Sequence, residues 1–302
     1  MTSTAAAWES VPRRRTLALP ARWRKPIGIV GAAIVVTMIF VAIFGPYIWT
    51  KSPYAPVYTS FEGPSWAHPM GTDNLGRDTL ARIIAGARIS LSIGFAATFL
   101  ALVVGGLCGL MAGFYKRTPD LLLMRVVDIL FAIPGLIMAF LIVGLLGPSE
   151  LNEIIAIGII IMPALARVTR AATLEVMGIP YIESSRALGA GNQRVMRRHV
   201  LPNIMAPLIV LTTLYISQAI IAEATLSFLG LGTQPPHAAW GNMLSVARGF
   251  IDSSVWMSLF PGLAIMITVL GFNFLGDGLR DILDPRIGTD LGSAAAMDKK
   301  SE

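Results

Sequence analysis

Six apolar runs, roughly at 27–48, 89–115, 121–147, 153–175, 204–230 and 255–276, constrain this chain more than any other feature. Each is long enough for the about 20 residues with which an α-helix crosses the hydrocarbon core of a bilayer. Backbone N–H and C=O groups find no water there, so a run standing alone must satisfy them internally as a helix. The expectation is an all-α integral membrane protein with six transmembrane helices. Composition agrees: 14% of the residues are charged, against about 25% in an average soluble domain.

The net charge of +6 could suggest a nucleic-acid partner. Its placement argues for orientation instead. With alternating spans, 19 of the 24 Lys and Arg residues fall on one side, and Lys51, Arg77, Arg82, Arg88 and Arg248 make up the remainder. The positive-inside rule then puts both termini and the segment 172–203 in the cytoplasm. The domain reading is a cytoplasmic tail at 1–26, a first transmembrane helix at 27–48, an extracytoplasmic segment at 49–88, a five-helix core at 89–276 and a second cytoplasmic tail at 277–302. The first tail, with its arginine clusters, is expected to lie against anionic lipid. The first run starts only near Ile27, is too long for the apolar part of a signal peptide and lacks a small-residue cleavage site, so it reads as a retained anchor. A break near Gly45-Pro46 is expected to end it.

Between two of the runs lies a polar, basic island, YIESSRALGAGNQRVMRRHVLPN at 181–203. A short helix over 183–188 is expected to end at Gly189 and Gly191, which tolerate left-handed or open backbone. Asn192 can cap a second short helix carrying Arg194, Arg197 and Arg198. That helix should stop before Pro202, because the residue ahead of a proline disfavours helical geometry. The product is a compact basic knob suited to meeting a partner; the bland alternative is an ordinary positive-inside loop.

Polar residues inside the runs are the other candidates. Asp128 sits about 10 Å into its helix at 1.5 Å per residue, where a charge is costly unless paired or hydrated. It reads either as an ion pair, with Arg125 or an arginine of another span, or as a wall of a polar pathway together with Gln218, Glu223 and Asn273. Glu223, about 28 Å beyond Ile204, is expected close to the outer surface, where it could snorkel. Pro163 is expected to break the fourth span. Gly105, Gly106, Gly109 and Gly113 mark the second span as a helix for close packing. On the outer side, Thr72-Asp73-Asn74 offers turn chemistry, Gly76 a tight bend and Asp78 a helix start. Asp73 and Asp78 are expected to pair with Arg77 or Arg82, and Trp240 to sit at the membrane interface. Asp73, Arg77, Asp78 and Trp240 are the candidates for an extracytoplasmic docking surface. No metal site is expected, since His68 has no second His or Cys at ligand spacing, and Cys108 reads as a packing residue. A membrane enzyme would need Asp128, Glu223 and Cys108 to converge, which their spacing does not suggest. A channel or carrier working without an ATPase is a distant alternative.

Four stretches together resemble one family. Glu183 followed by GAGNQRVMRRHVLPN is similar to the cytoplasmic EAA loop of bacterial ABC importer permeases, with Glu183, Gly189, Leu201 and Pro202 at the recurring positions and Ser184-Ser185 in place of the two alanines. HPMGTDNLGRD with GARISL, EATLSFLGLGTQPPHAAWGNML and GDGLRDILDPR resemble the C-subunit (DppC/OppC-like) of the dipeptide/oligopeptide/nickel branch. The resemblance implies a type I importer permease fold in a bacterial cytoplasmic membrane. It also implies a second, B-type permease subunit, two ABC ATPase subunits and an extracytoplasmic solute-binding protein as partners. ATP and Mg would then be bound by the ATPases, with no cofactor and no catalysis on this chain, which has no GxxxxGK[ST] loop of its own. Coupling would fall to Glu183, Ser184, Ser185, Gly189, Gly191, Leu201 and Pro202. Peptides are the expected cargo, with nickel, glutathione or another small solute as alternatives.

Overall fold

The computed structural model describes residues 26–283; the expectations for the tails at 1–25 and 284–302 lie outside the described residues. Among these residues five helices are long and apolar enough to cross a membrane. They are α1 (Pro26–Ile48), α2 (Thr79–Tyr115), α5 (Glu150–Met177), α8 (Leu201–Phe228) and α10 (Trp256–Leu283). The third expected span is not straight. It consists of α3 (Arg117–Ala132) and α4 (Gly135–Leu146), bent by 91°. Ile133 is extended at φ −89°, ψ 128°, the geometry a following proline imposes on its predecessor.

Other prolines behave differently. α1 runs through Pro46 to Ile48 and α5 continues through Pro163, so neither expected break occurs. A proline inside a packed membrane helix forfeits one backbone hydrogen bond, and neighbouring helices can make this tolerable. Pro202 does not stop a helix either. A short helix α7 (Asn192–Val195) passes into a π-helical turn at Met196–Val200 and on into α8, one continuous helix over Asn192–Phe228. The wider turn lets the chain cross the position where proline has no N–H to give.

Close packing centres on α2 and α5. A Cβ on Gly105 would lie 2.5 Å from the Met162 carbonyl, one on Gly109 2.2 Å from that of Ala166, and one on Gly113 2.7 Å from Thr173 Cβ. Gly106 faces open space instead, so three of the four expected glycines form the contact. The apolar core between α2, α4, α5 and α8 includes Ile93, Ala97, Ala101, Val143, Ile157, Leu165 and Leu226. α1 and α10 cross equally closely, with Gly28 against Gly278 and Gly31 against Leu275. The two ends of the described chain therefore lie together. Arg280 and Leu283 line a cavity with Ala172, Glu175 and Asn203, which places these ends beside the basic island.

The opposite end carries a cap. Residues 49–78 fold irregularly over it, with Gly76 at φ +71° and one isolated bridge between Thr72 and Asp78. The stretch after α8 holds a further helix, α9 (Trp240–Ala247), where only an irregular path is expected from the sequence. Trp240 is fully buried rather than interfacial, and its indole N–H donates to the Ile83 carbonyl at 3.1 Å.

Candidate coupling site and polar positions

The island is a rigid knob mounted on the helix ends. Helix α6 (Pro180–Ala187) starts on Pro180 and ends in a left-handed Gly189 at φ +86°. The Gly189 N–H reaches the Arg186 carbonyl at 2.9 Å and the Ala190 N–H that of Ser185 at 3.1 Å, the pair of bonds that closes a glycine-terminated helix. Gly191, not Asn192, is the N-cap of α7 and is extended at φ −67°, ψ 156°. The knob's underside is apolar: Ile182, Val195 and Val200 pack with Leu110 and Phe114 of α2, Val176 and Met177 of α5, and Ile204 and Leu208 of α8. Fixing the knob to three long helices means that displacing it must displace them.

Its free face presents the predicted residues. Glu183, Ser184, Gly189, Gly191, Leu201 and Pro202 are exposed and Ser185 is half-buried. The Ser184 hydroxyl donates to the Pro180 carbonyl at 3.2 Å, while Ser185 lies 3.5 Å from His199 Nε2. The Asn203 side chain joins α6 to the π turn, donating to Tyr181 Oη at 3.1 Å and to the His199 carbonyl at 2.6 Å. Arg186 lies over the Phe114 ring at 5.3 Å, so one of the island's arginines helps hold the knob. Leu188, which is not among the candidates taken from the sequence, is 89% exposed at the tip. Its signal was available: an apolar residue immediately before the glycine that ends α6.

The four pathway candidates are not brought together. Asp128 pairs with Arg167 of α5 at 2.7 Å, both half-exposed, and the neighbouring Asp120 and Arg170 form a second, bidentate pair. These link α3 to α5, and Asp128 and Arg167 both line an open polar cavity with Asp120, Arg125 and Arg170. Gln218 is exposed on α8, and Asn273 of α10 accepts from Ser217 at 2.7 Å. Glu223 is fully buried rather than snorkelling. It faces Ser227, which also reaches Glu153 of α5, an acid the sequence reading passed over because it stands at the start of a run.

All four docking candidates are buried too. Asp73 pairs with Arg77 at 2.6 Å and Arg82 at 3.4 Å, as expected. Asp78 instead caps α2 through the Ala81 N–H at 2.8 Å and meets His68 at 2.8 Å, Trp49 at 3.1 Å and Lys51 at 3.3 Å. Burial pushes its carboxyl up, but the hydrogen bonds from Ala81, His68, Trp49 and Lys51 together outweigh that and hold it below the usual carboxylate range. An outer docking face would be built on these residues rather than from them.

Residues 105–289 match the family model described as binding-protein-dependent transport system inner membrane component, and residues 23–67 match the N-terminal TM domain of oligopeptide transport permease C. The dipeptide transport system permease protein DppC of Alkalihalophilus pseudofirmus is 46% identical over 266 residues, covering 87% of each chain. The glutathione transport system permease protein GsiD of Escherichia coli is 44% identical over 269 residues, covering 87% of this chain and 88% of that one. Among solved structures, an inward-facing conformation of the MetNI methionine ABC transporter superposes with a TM-score of 0.57 at 20% identity, over 67% of this chain and 96% of that one.

Proposed function

The chain belongs to the family of binding-protein-dependent transport system inner membrane components, and from that premise we propose that it is the peptide-translocating C-type permease subunit of an ABC importer. It is a multi-pass permease of the bacterial inner membrane with the type I importer fold. The cargo best supported is a small peptide, since the similar relatives are named for dipeptides and for glutathione, itself a tripeptide. Nickel or another small solute is the second reading.

In the working importer this chain pairs with a B-type permease, receives cargo from an extracytoplasmic binding protein and docks on one of two ATPases, which bind ATP and Mg. The termini and the knob face the cytoplasm, and the segment 49–88 faces outward. The carrying observation is the knob: Glu183 and Leu188 exposed on a tip whose underside is locked to α2, α5 and α8. ATPase closure would push it as one body and bias the helices between two arrangements. Glu183 would meet a basic group in the ATPase cleft, and Leu188 would enter its apolar part.

Uptake of labelled dipeptide by a strain relying on Glu183→Ala or Gly189→Asp should collapse while the subunit still inserts in the membrane. Unchanged uptake by both variants would sink the coupling assignment. Uptake of nickel or another solute, with no uptake of peptides, would replace the cargo but not the mechanism.

A further inference from the structure

At the cap end the fold brings two carboxyls together without a cation. Glu153, in the first turn of α5, and Glu223, near the end of α8, are both fully buried. Ser227 stands between them, its Oγ 3.0 Å from Glu223 Oε1 and 3.4 Å from Glu153 Oε1. The same oxygen accepts the Thr233 N–H at 3.3 Å. From α2, the Ser90 hydroxyl oxygen accepts the Trp240 N–H at 3.3 Å. Gly232 closes the site from above, since a Cβ there would lie 2.6 Å from Glu153 Oε1. Glu153 Oε2, Glu223 Oε2 and Thr233 Oγ1 are buried without a hydrogen-bond partner.

The charges around the pair do not neutralise it. Glu150, one turn earlier on α5, has the same sign. Arg248 lies over the Phe228 ring. α2 and α9 bring only the neutral groups Ser90 and Trp240, bonded to each other, and α4 has no titratable side chain. Among the described residues no Lys, Arg or His forms an ion pair with either acid. Two bare carboxylates sealed from water would be strongly unfavourable. A count of hydrogens supplies the way out. A hydroxyl has one hydrogen to donate, so Ser227 can satisfy one carboxyl, and the other carboxyl can approach its oxygen favourably only by carrying a hydrogen itself.

We propose that Glu153 and Glu223 form a proton-binding site in which the two carboxyls share one proton across Ser227. The proton completes a hydrogen-bonded clasp joining α5, α8 and the loop that holds Thr233. On release the O–H bond breaks heterolytically, its electron pair stays on the carboxylate and the proton passes to water. That would leave two like charges facing each other across α5 and α8.

Infrared spectroscopy of the full chain, purified in detergent at neutral pH, reads this directly through the C=O stretch of a protonated carboxyl, identified by its shift in D2O. Wild type should show such a band, and the Glu153→Gln/Glu223→Gln double variant should lack it. Each single Gln variant should lack it too, because the amide N–H then supplies the hydrogen and the remaining acid ionises. A spectrum unchanged in the double variant overturns the site, and single variants that each keep half of the band overturn sharing in favour of two separately protonated acids. If the double variant fails to insert, the two single variants decide the matter.

Discussion

Leu188 and Asp78 show how much a single position decides here. Leu188 is held out at the knob's tip by the left-handed Gly189, and under the proposed docking an aspartate there would have to enter the ATPase interface with its charge unpaired. We expect Leu188→Asp to weaken co-purification of the ATPase about tenfold, the equivalent of about 1.4 kcal/mol. Asp78 answers to pH. Its folded carboxyl titrates below its unfolded value, so its contribution is complete above the unfolded value and is lost as pH falls through the folded one. Thermal unfolding should therefore show Asp78→Asn less stable than wild type at neutral pH by about 1–3 kcal/mol, as expected when a buried charged acceptor is lost. The gap should shrink in acid.

Among the elements, the α2–α5 crossing carries the core. A side chain at Gly109 has no rotamer to escape into, because its Cβ alone would meet the Ala166 carbonyl at 2.2 Å. Gly109→Val should lower stability by about 1–3 kcal/mol or more, read as an earlier unfolding transition in detergent, while Gly106→Ala, which faces open space, should be neutral. The bent pair α3 and α4 depends on Pro134 for its corner and on the Asp128–Arg167 and Asp120–Arg170 pairs for its attachment to α5. The former pair is half-exposed, so Asp128→Asn alone should cost no more than about 1 kcal/mol.

At the scale of the whole molecule the knob is packed on one side and open on the other, with Glu183, Leu188 and Leu201 exposed, as the proposed docking on an ATPase requires. Reconstituted alone in vesicles, the chain should carry no labelled dipeptide, and flux should appear only with the second permease, both ATPases, ATP and the binding protein; flux from the chain alone would favour the carrier reading. The spans, the α2 glycines and the turn at Gly189 were legible in the sequence, because lipid insertion and left-handed backbone are set by residues close along the chain. The breaks expected at Pro46 and Pro163 do not occur, because the cost of a proline depends on what packs around the helix, tolerable at Pro163 and decisive at Pro134. The buried meeting of Glu153 with Glu223, the enclosure of Trp240 and the pairing of Asp128 with Arg167 were decided only by the tertiary structure. Ser227 and Glu153 are 74 positions apart, and hydropathy records how apolar a run is, not which side chain of another run comes to face it.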